Sequence, residues 1–182
     1  MEGAGYSTRT LLADDLPWFL SVRNASRQML HDSREFSLEE AESWLEESSP
    51  DIRVIEFGER PVGYLRVGPA ERRGEGRLLW IGCDIAPEER RRGHAEAAYR
   101  SFAAQLKAEY EANGLVLRVL PCNGPAISLY RKLGFAPSGL TASRSDDGRS
   151  LEISDIEMTL LDGASGVAPD AIDLLIDSGA LG

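Results

Sequence analysis

The run Ile85-Ala86-Pro87-Glu88-Glu89-Arg90-Arg91-Arg92-Gly93-His94-Ala95 passes from an apolar strand through a basic, glycine-containing loop into a long helical stretch. That order suits an anion, and a phosphate in particular. Free backbone N–H groups at a helix amino terminus, together with the positive end of the helix dipole, hold an anion without side-chain charge. Gly93 and Ala95 keep side chains out of its approach. Arg90, Arg91 and Arg92 can add charge-assisted bonds to a pyrophosphate or ribose phosphate. The alternative is a solvated charge run at a helix start. Three cations at the positive end of a dipole are unfavourable unless an anion joins them, which favours the anion site.

A second constellation follows at Asn123-Gly124-Pro125-Ala126-Ile127-Ser128-Leu129-Tyr130-Arg131-Lys132-Leu133-Gly134-Phe135. Asn-Gly-Pro reads as a turn and helix cap, with Pro125 opening a short helix that Gly134 closes. Tyr130 lies within that helix. Its phenol is either a proton donor or a ring packed into the core.

The two segments together resemble the GCN5-related N-acetyltransferase (GNAT) family. Arg90, Gly93 and Ala95 match its coenzyme A loop, which reads Gln or Arg, two residues, Gly, one residue, Gly or Ala. Asn123, Ala126-Ile127, Leu129-Tyr130 and Leu133-Gly134-Phe135 match the family's downstream run. The resemblance spans about Thr8 to Leu161 and is specific over Ile85 to Phe135.

The resemblance implies an α/β (α+β) fold with a central mixed sheet, splayed between its fourth and fifth strands and flanked by helices. It implies acetyl-coenzyme A as cosubstrate, its pantetheine arm in the gap, and direct attack of a primary amine within a ternary complex. The cofactor residues would be Cys83, Ile85, Arg90, Arg91, Arg92, Gly93, His94, Ala95 and Asn123. Asn123 would bond the arm, a role compatible with capping. The chemistry needs N–H donors for a tetrahedral oxyanion and an acid for the departing sulfur. Backbone at the Cys83 to Ile85 strand end is the candidate donor, and Tyr130 the candidate acid.

An ammonium with a pKa of about 10 must also lose a proton before it attacks. The two positions where family members carry a glutamate base hold Arg118 and Leu79 here. Asp84 is the nearest acidic candidate, acting directly or through water. It could equally orient arginines or cap a turn, and a water relay needs no dedicated base. No metal is implied.

The elements that must position these groups can be read from pattern. Ser7 to Leu12 reads as a first strand, and Asp14 and Asp15 precede a helical stretch through about Leu30. Ser37-Leu38-Glu39-Glu40 is a capping box that starts a second helix. Ile52 to Phe57 and Val62 to Val67 form a hairpin; a polar loop from Glu71 to Gly76 leads to a third strand of this group, Leu78 to Ile85. Ala95, Ala98, Tyr99, Phe102, Leu106 and Tyr110 line one stripe of a helix that Asn113-Gly114 ends. Leu115 to Leu120 is a buried strand. Phe135 to Leu140 and Ser150 to Leu161 follow the short helix as strands, separated by a turn at Asp146-Asp147-Gly148. The order is one strand, two helices, three strands, helix, strand, helix, two strands, and it gives a single sheet covered by helices.

With 182 residues, 42% of them apolar and 27% charged, one domain of ordinary size is expected, residues 1–161, with a tail over 162–182 that ends in a short helix. A net charge of −10 disfavours nucleic acid and suits cationic partners such as amines. No apolar run reaches the roughly 20 residues that cross a bilayer. The first residues carry no secretory pattern, so a cytoplasmic protein is expected. Cys83 and Cys122 lack metal-site spacing and read as packing residues. His31, in a polar region without triad context, reads as a surface residue. Asn24-Ala25-Ser26 fits a glycosylation sequon, without consequence for a chain that is not secreted.

The acceptor is a small-molecule or peptide amine: an amino sugar, a polyamine or aminoglycoside, or a protein amino terminus. Arg23-Asn24, Phe36-Ser37, Glu39-Glu40 and Trp44 loosely resemble branches acting on nucleotide-linked amino sugars. Ile85-Ala86-Pro87-Glu88 resembles branches acting on polyamines and protein amino termini. Glu152, Asp155 and Glu157 on the last strand either draw a cationic amine or form a solvated face, with the solvated face favoured. A non-catalytic acyl-coenzyme A sensor is the rival reading. A homodimer through a tail stripe of Ile172, Leu174, Leu175 and Ile176 is a third.

Overall fold

The structure, a computed structural model, describes residues 5–74, 76–144 and 151–162. The turn expected at Asp146-Asp147-Gly148 and the stripe at Ile172 to Ile176 lie outside the described residues.

Alternating burial builds the sheet. Strand β1 (Tyr6–Thr10) is followed by helices α1 (Leu16–Ser26) and α2 (Leu38–Ser48), then β2 (Asp51–Phe57), β3 (Arg60–Arg73) and β4 (Gly76–Ile85). Helix α3 (His94–Glu109), β5 (Gly114–Val119), α4 (Gly124–Lys132), β6 (Ala136–Arg144) and β7 (Leu151–Leu161) complete the described chain. The element order is the one read from sequence. The sheet order is β1-β2-β3-β4-β5-β7-β6, with β4 and β5 parallel and every other neighbouring pair antiparallel.

Local chemistry sets the boundaries. Leu16, Phe19, Leu20 and Arg23 recur at helical spacing on the buried side of α1. Ser37 and Glu40 form the expected capping box, each side chain bonding the other's backbone N–H. Two expectations change. The single helix to Leu30 breaks into α1 flanked by two short 3-10 turns. The polar loop at Glu71 to Gly76 shrinks to a hairpin tip, because β3 continues to Arg73 and pairs with β4 back to Gly76. A bulge between Val67 and Ala70 absorbs Pro69, which has no N–H for the ladder.

Adjacent strand residues face opposite sides, and each side has its own core. Leu65, Leu117 and Ile156 pack under Tyr99, Phe102 and Leu106 of α3 and Ile127 and Tyr130 of α4. Val54 and Tyr64 pack under Leu16, Phe19 and Leu20 of α1 and Ala41 of α2. The sheet therefore has an α1/α2 face and an α3/α4 face.

Strands β4 and β5 pair only through Leu78–Gly114, Leu79–Leu115 and Trp80–Val116. Past Trp80 they part, and the sheet opens into a V between its fourth and fifth strands. Gly63 makes the V's wall close-packed: a Cβ there would stand 2.4 Å from the Asp84 carbonyl oxygen.

Candidate functional site

The V opens into a cleft of about 850 Å³. Its inner edge is the end of β4. The Ala86 N–H donates to the Val62 carbonyl at 2.9 Å across the β3–β4 ladder. Successive N–H groups of a strand point to opposite edges, so those of Cys83 and Ile85 point away from β3, into the gap that β5 has left.

The cleft's floor is the amino terminus of α3. Its cap residue, Gly93, has φ +84 and supplies no capping side chain, so the first-turn N–H groups are left for an anion. A Cβ on Gly93 would meet nothing within 4 Å, so backbone conformation, not crowding, calls for glycine. Arg91 is also left-handed, at φ +61. Such strain in a bulky residue persists only where surrounding structure holds it.

The three arginines of the loop diverge. Arg90 turns back, donating from Nε to the Ile85 carbonyl at 3.1 Å and from Nη2 to Ser26 Oγ at 2.9 Å. Arg91 lines the cleft and, among the described residues, makes no hydrogen bond or ion pair. Arg92 does not line it; its Nη1 lies 3.1 Å from Glu89 Oε2. The His94 ring is buried between Tyr6 Oη, 2.8 Å from Nδ1, and Glu89 Oε2, 3.2 Å from Nε2. Only the backbone of His94 remains for a ligand. Glu89, which sequence pattern did not single out, is the buried anion that gathers Arg60, Arg92 and His94 under the loop.

Asn123 lines the cleft and caps α4 at once, its Oδ1 accepting from the Ala126 N–H at 3.3 Å. Tyr130 is buried in the cleft wall on the α3/α4 face, its ring tilted against Phe135 and edge-on to Tyr99. Burial, with the Cys83 thiol next in effect, pushes its phenol up to about 12. Burial and then Asp84 likewise push up the Cys83 thiol, which stays protonated. The packing reading of Tyr130 is met by these ring contacts.

Asp84 sits on the other face. It pairs in register with Tyr64, its carboxylate is 8% exposed, and its Oδ2 lies 3.3 Å from Arg66 Nη2. Leu79 is fully buried, so the early β4 position offers no base. Arg118 lines the cleft with its guanidinium 4.9 Å from the centre of the Trp80 ring. Cys122 is exposed and outside the site.

A smaller cavity of about 280 Å³ adjoins on the α1/α2 side, and Arg66 walls both. Its rim is the segment between α1 and α2, which Arg23 and Asn24 hold. Arg23 donates to the carbonyls of Arg34 and Asp32 and lies 3.8 Å from the centre of the Phe36 ring. Asn24 makes two bonds with the Phe36 backbone, at 2.9 and 3.1 Å. His31 lines this cavity, with Nδ1 2.8 Å from Asp155 Oδ1 of β7. It is exposed, as read from sequence, and because its carboxylate partner comes from a distant strand, sequence spacing carried no signal of the contact. The solvated-face reading of the last strand is corrected: Asp155 and Glu157 are mostly covered, and Glu157 Oε1 meets Arg73 Nη1 at 2.7 Å. The Glu152 side chain lies outside the described residues.

The family model described as "Acetyltransferase (GNAT) family" matches residues 15–135. No curated protein matches the chain by sequence. Several solved structures share the fold. A ribosomal-protein-alanine N-acetyltransferase from Brucella melitensis is 21% identical with a TM-score of 0.66, covering 85% of this chain and 99% of its own. An N-acetyltransferase from Staphylococcus aureus Mu50 is 16% identical with a TM-score of 0.66, covering 87% and 99%. Mutant forms of a spermidine/spermine N-acetyltransferase from Vibrio cholerae are 20% identical with a TM-score of 0.67, covering 86% and 93%. Among the described residues no helix is long and apolar enough to cross a membrane.

Proposed function

We propose that this chain, which belongs to the acetyltransferase (GNAT) family, transfers the acetyl group of acetyl-coenzyme A to a primary amine by direct attack within a ternary complex. One observation carries the reading: the sheet opens beyond Trp80, so that among the described residues the Cys83 and Ile85 N–H groups face the gap without a β5 partner, beside an uncapped helix terminus.

The residues present fit the cosubstrate. The first turn of α3 and Arg91 would take the pyrophosphate, Arg90 and Arg92 acting mainly through the loop they brace. Cys83, Ile85 and Asn123 would hold the pantetheine arm. The cosubstrate supplies an acetyl thioester at the end of β4. The Ile85 N–H then stabilises charge developing on the carbonyl oxygen.

Asp84 and Tyr130 lie on opposite faces of the sheet beside the gap. Asp84 receives the ammonium proton, directly or through water, as the nitrogen closes on the carbonyl carbon. The C–N bond forms, the C–S bond breaks, and Tyr130 donates to the departing sulfur. Its raised pKa keeps the donor proton in place through neutral and moderately alkaline pH. The nitrogen's second proton restores the one Tyr130 has given, the proton taken by Asp84 passes to solvent, and the acylated amine, the free thiol and one proton are the products.

Thiol release from acetyl-coenzyme A across a panel of amino acids, polyamines, aminoglycosides, amino sugars and amino-terminal peptides tests the reading. Release with a matching acetyl mass gain on one amine supports it. Tight cosubstrate binding without release on any amine contradicts it and favours a sensor.

A further inference from the structure

At the junction of the two cavities stand polar groups that the fold itself leaves unused. The Tyr64 hydroxyl is fully buried and makes no hydrogen bond. Burial, with the Asp84 carboxylate next in effect, pushes its phenol well above the ordinary value. Asp84, its neighbour in register, is buried as well, with Oδ2 3.3 Å from Arg66 Nη2. The Arg66 guanidinium, 45% exposed, lies along Gly82, where a Cβ would stand 2.8 Å from Nη2. Buried polar groups are nearly always satisfied, and orphans clustered at a cavity junction call for a ligand that satisfies them.

The charge of the junction selects among amines. Arg23 and Arg66 face the smaller cavity against Asp32 as its one carboxylate, within a chain of net charge −10. Arg23 is committed to the Asp32 and Arg34 carbonyls. Arg66 is not. Of the β7 carboxylates among the described residues, Asp155 is engaged with His31 and Glu157 with Arg73. The remaining walls are the apolar Phe19, Leu30, Phe36 and Trp44, with His31 and Tyr64.

We propose that the acceptor is a zwitterionic α-amino acid with an apolar side chain. Its ammonium meets Asp84, its carboxylate meets Arg66, and its side chain enters the cavity of about 280 Å³. The protein's own Asp84–Arg66 pair is thereby exchanged for two charge-assisted pairs with the ligand. The amine then stands at the end of β4, where acetyl transfer yields an N-acetyl amino acid and a thiol; of the two protons the nitrogen loses, one replaces the proton the sulfur gains and the other passes to solvent. This substrate class rests on the acetyl-transfer reading above.

Calorimetry on the full chain with coenzyme A present separates the two. The probes are leucine, phenylalanine, their amides, isoamylamine, phenethylamine and spermidine. Each amino acid is expected to bind about 10- to 100-fold tighter than its amide and its decarboxylated amine, the margin of a charge-assisted pair. Arg66→Gln is expected to erase that margin while coenzyme A affinity stays. Amides, simple amines or spermidine binding as well as the amino acids would overturn the substrate class. So would failure of both amino acids to bind. Acetyl-transfer assays on the same probes bear on the reaction itself, so a protein that acetylates spermidine alone keeps the reaction and loses this substrate class.

Discussion

His94 Nε2 and Glu89 Oε2 face each other 3.2 Å apart beneath the loop they bracket, both side chains nearly closed to solvent. The contact explains how Arg90, Arg91 and Arg92 coexist at the positive end of α3. A buried carboxylate supplies the compensating charge, taking Arg92 and Arg60 as well as His94, and leaves Arg91 without a partner among the described residues at the cleft.

Glu89→Gln keeps the shape and removes the charge. Breaking a buried pair in this way costs about 3 kcal/mol, so a clear fall in the urea midpoint is expected, with weaker acetyl-coenzyme A binding in the fraction that folds. A variant with the stability and cosubstrate affinity of the wild type would show that Glu89 does not organise the loop.

His31 and Asp155 tie the α1–α2 segment to β7 across the smaller cavity. Asp155→Asn and His31→Gln should each raise the acceptor KM several-fold and leave the acetyl-coenzyme A KM alone. Because the two act as one contact, the double variant should be little worse than either single. Additive losses would mean the residues act separately.

Asp15 gives a pH signature. Its oxygens accept from Arg9 Nη1 and Nη2 at 2.6 and 2.8 Å, and these bonds hold its carboxyl below the ordinary value. A depressed native pKa stabilises the fold above the unfolded value of about 3.9, and the benefit is lost as pH falls through the native value. Asp15→Asn is therefore expected to cost about 1 kcal/mol at pH 7. The difference from wild type should close under strongly acid conditions. Chemical denaturation at both pH extremes checks this, and a gap of constant size would refute it.

Much of this site was legible because its parts are local in sequence. Gly93 and Ala95 follow a strand and open a helix, and the capping box at Ser37 fixes α2 through neighbours three residues apart. The partners of His31 and Arg66, and Arg60 among those of Glu89, come from distant elements, so spacing gave no sign of them. Arg92 differs, since its partner Glu89 lies three residues away in the same loop and that spacing was itself a signal of the pair. The boundary at Arg73 was missed because a polar run resembles a loop, whereas an exposed hairpin also tolerates polar residues on its faces.

The most direct test of the account is single-turnover thiol release from acetyl-coenzyme A by wild type and Tyr130→Phe, with the acceptor saturating. Loss of the donor proton should slow the wild-type step on the order of 10²-fold, leaving cosubstrate affinity and melting temperature nearly unchanged. An undiminished rate in Tyr130→Phe would contradict the assignment of Tyr130 as the donor to the departing sulfur.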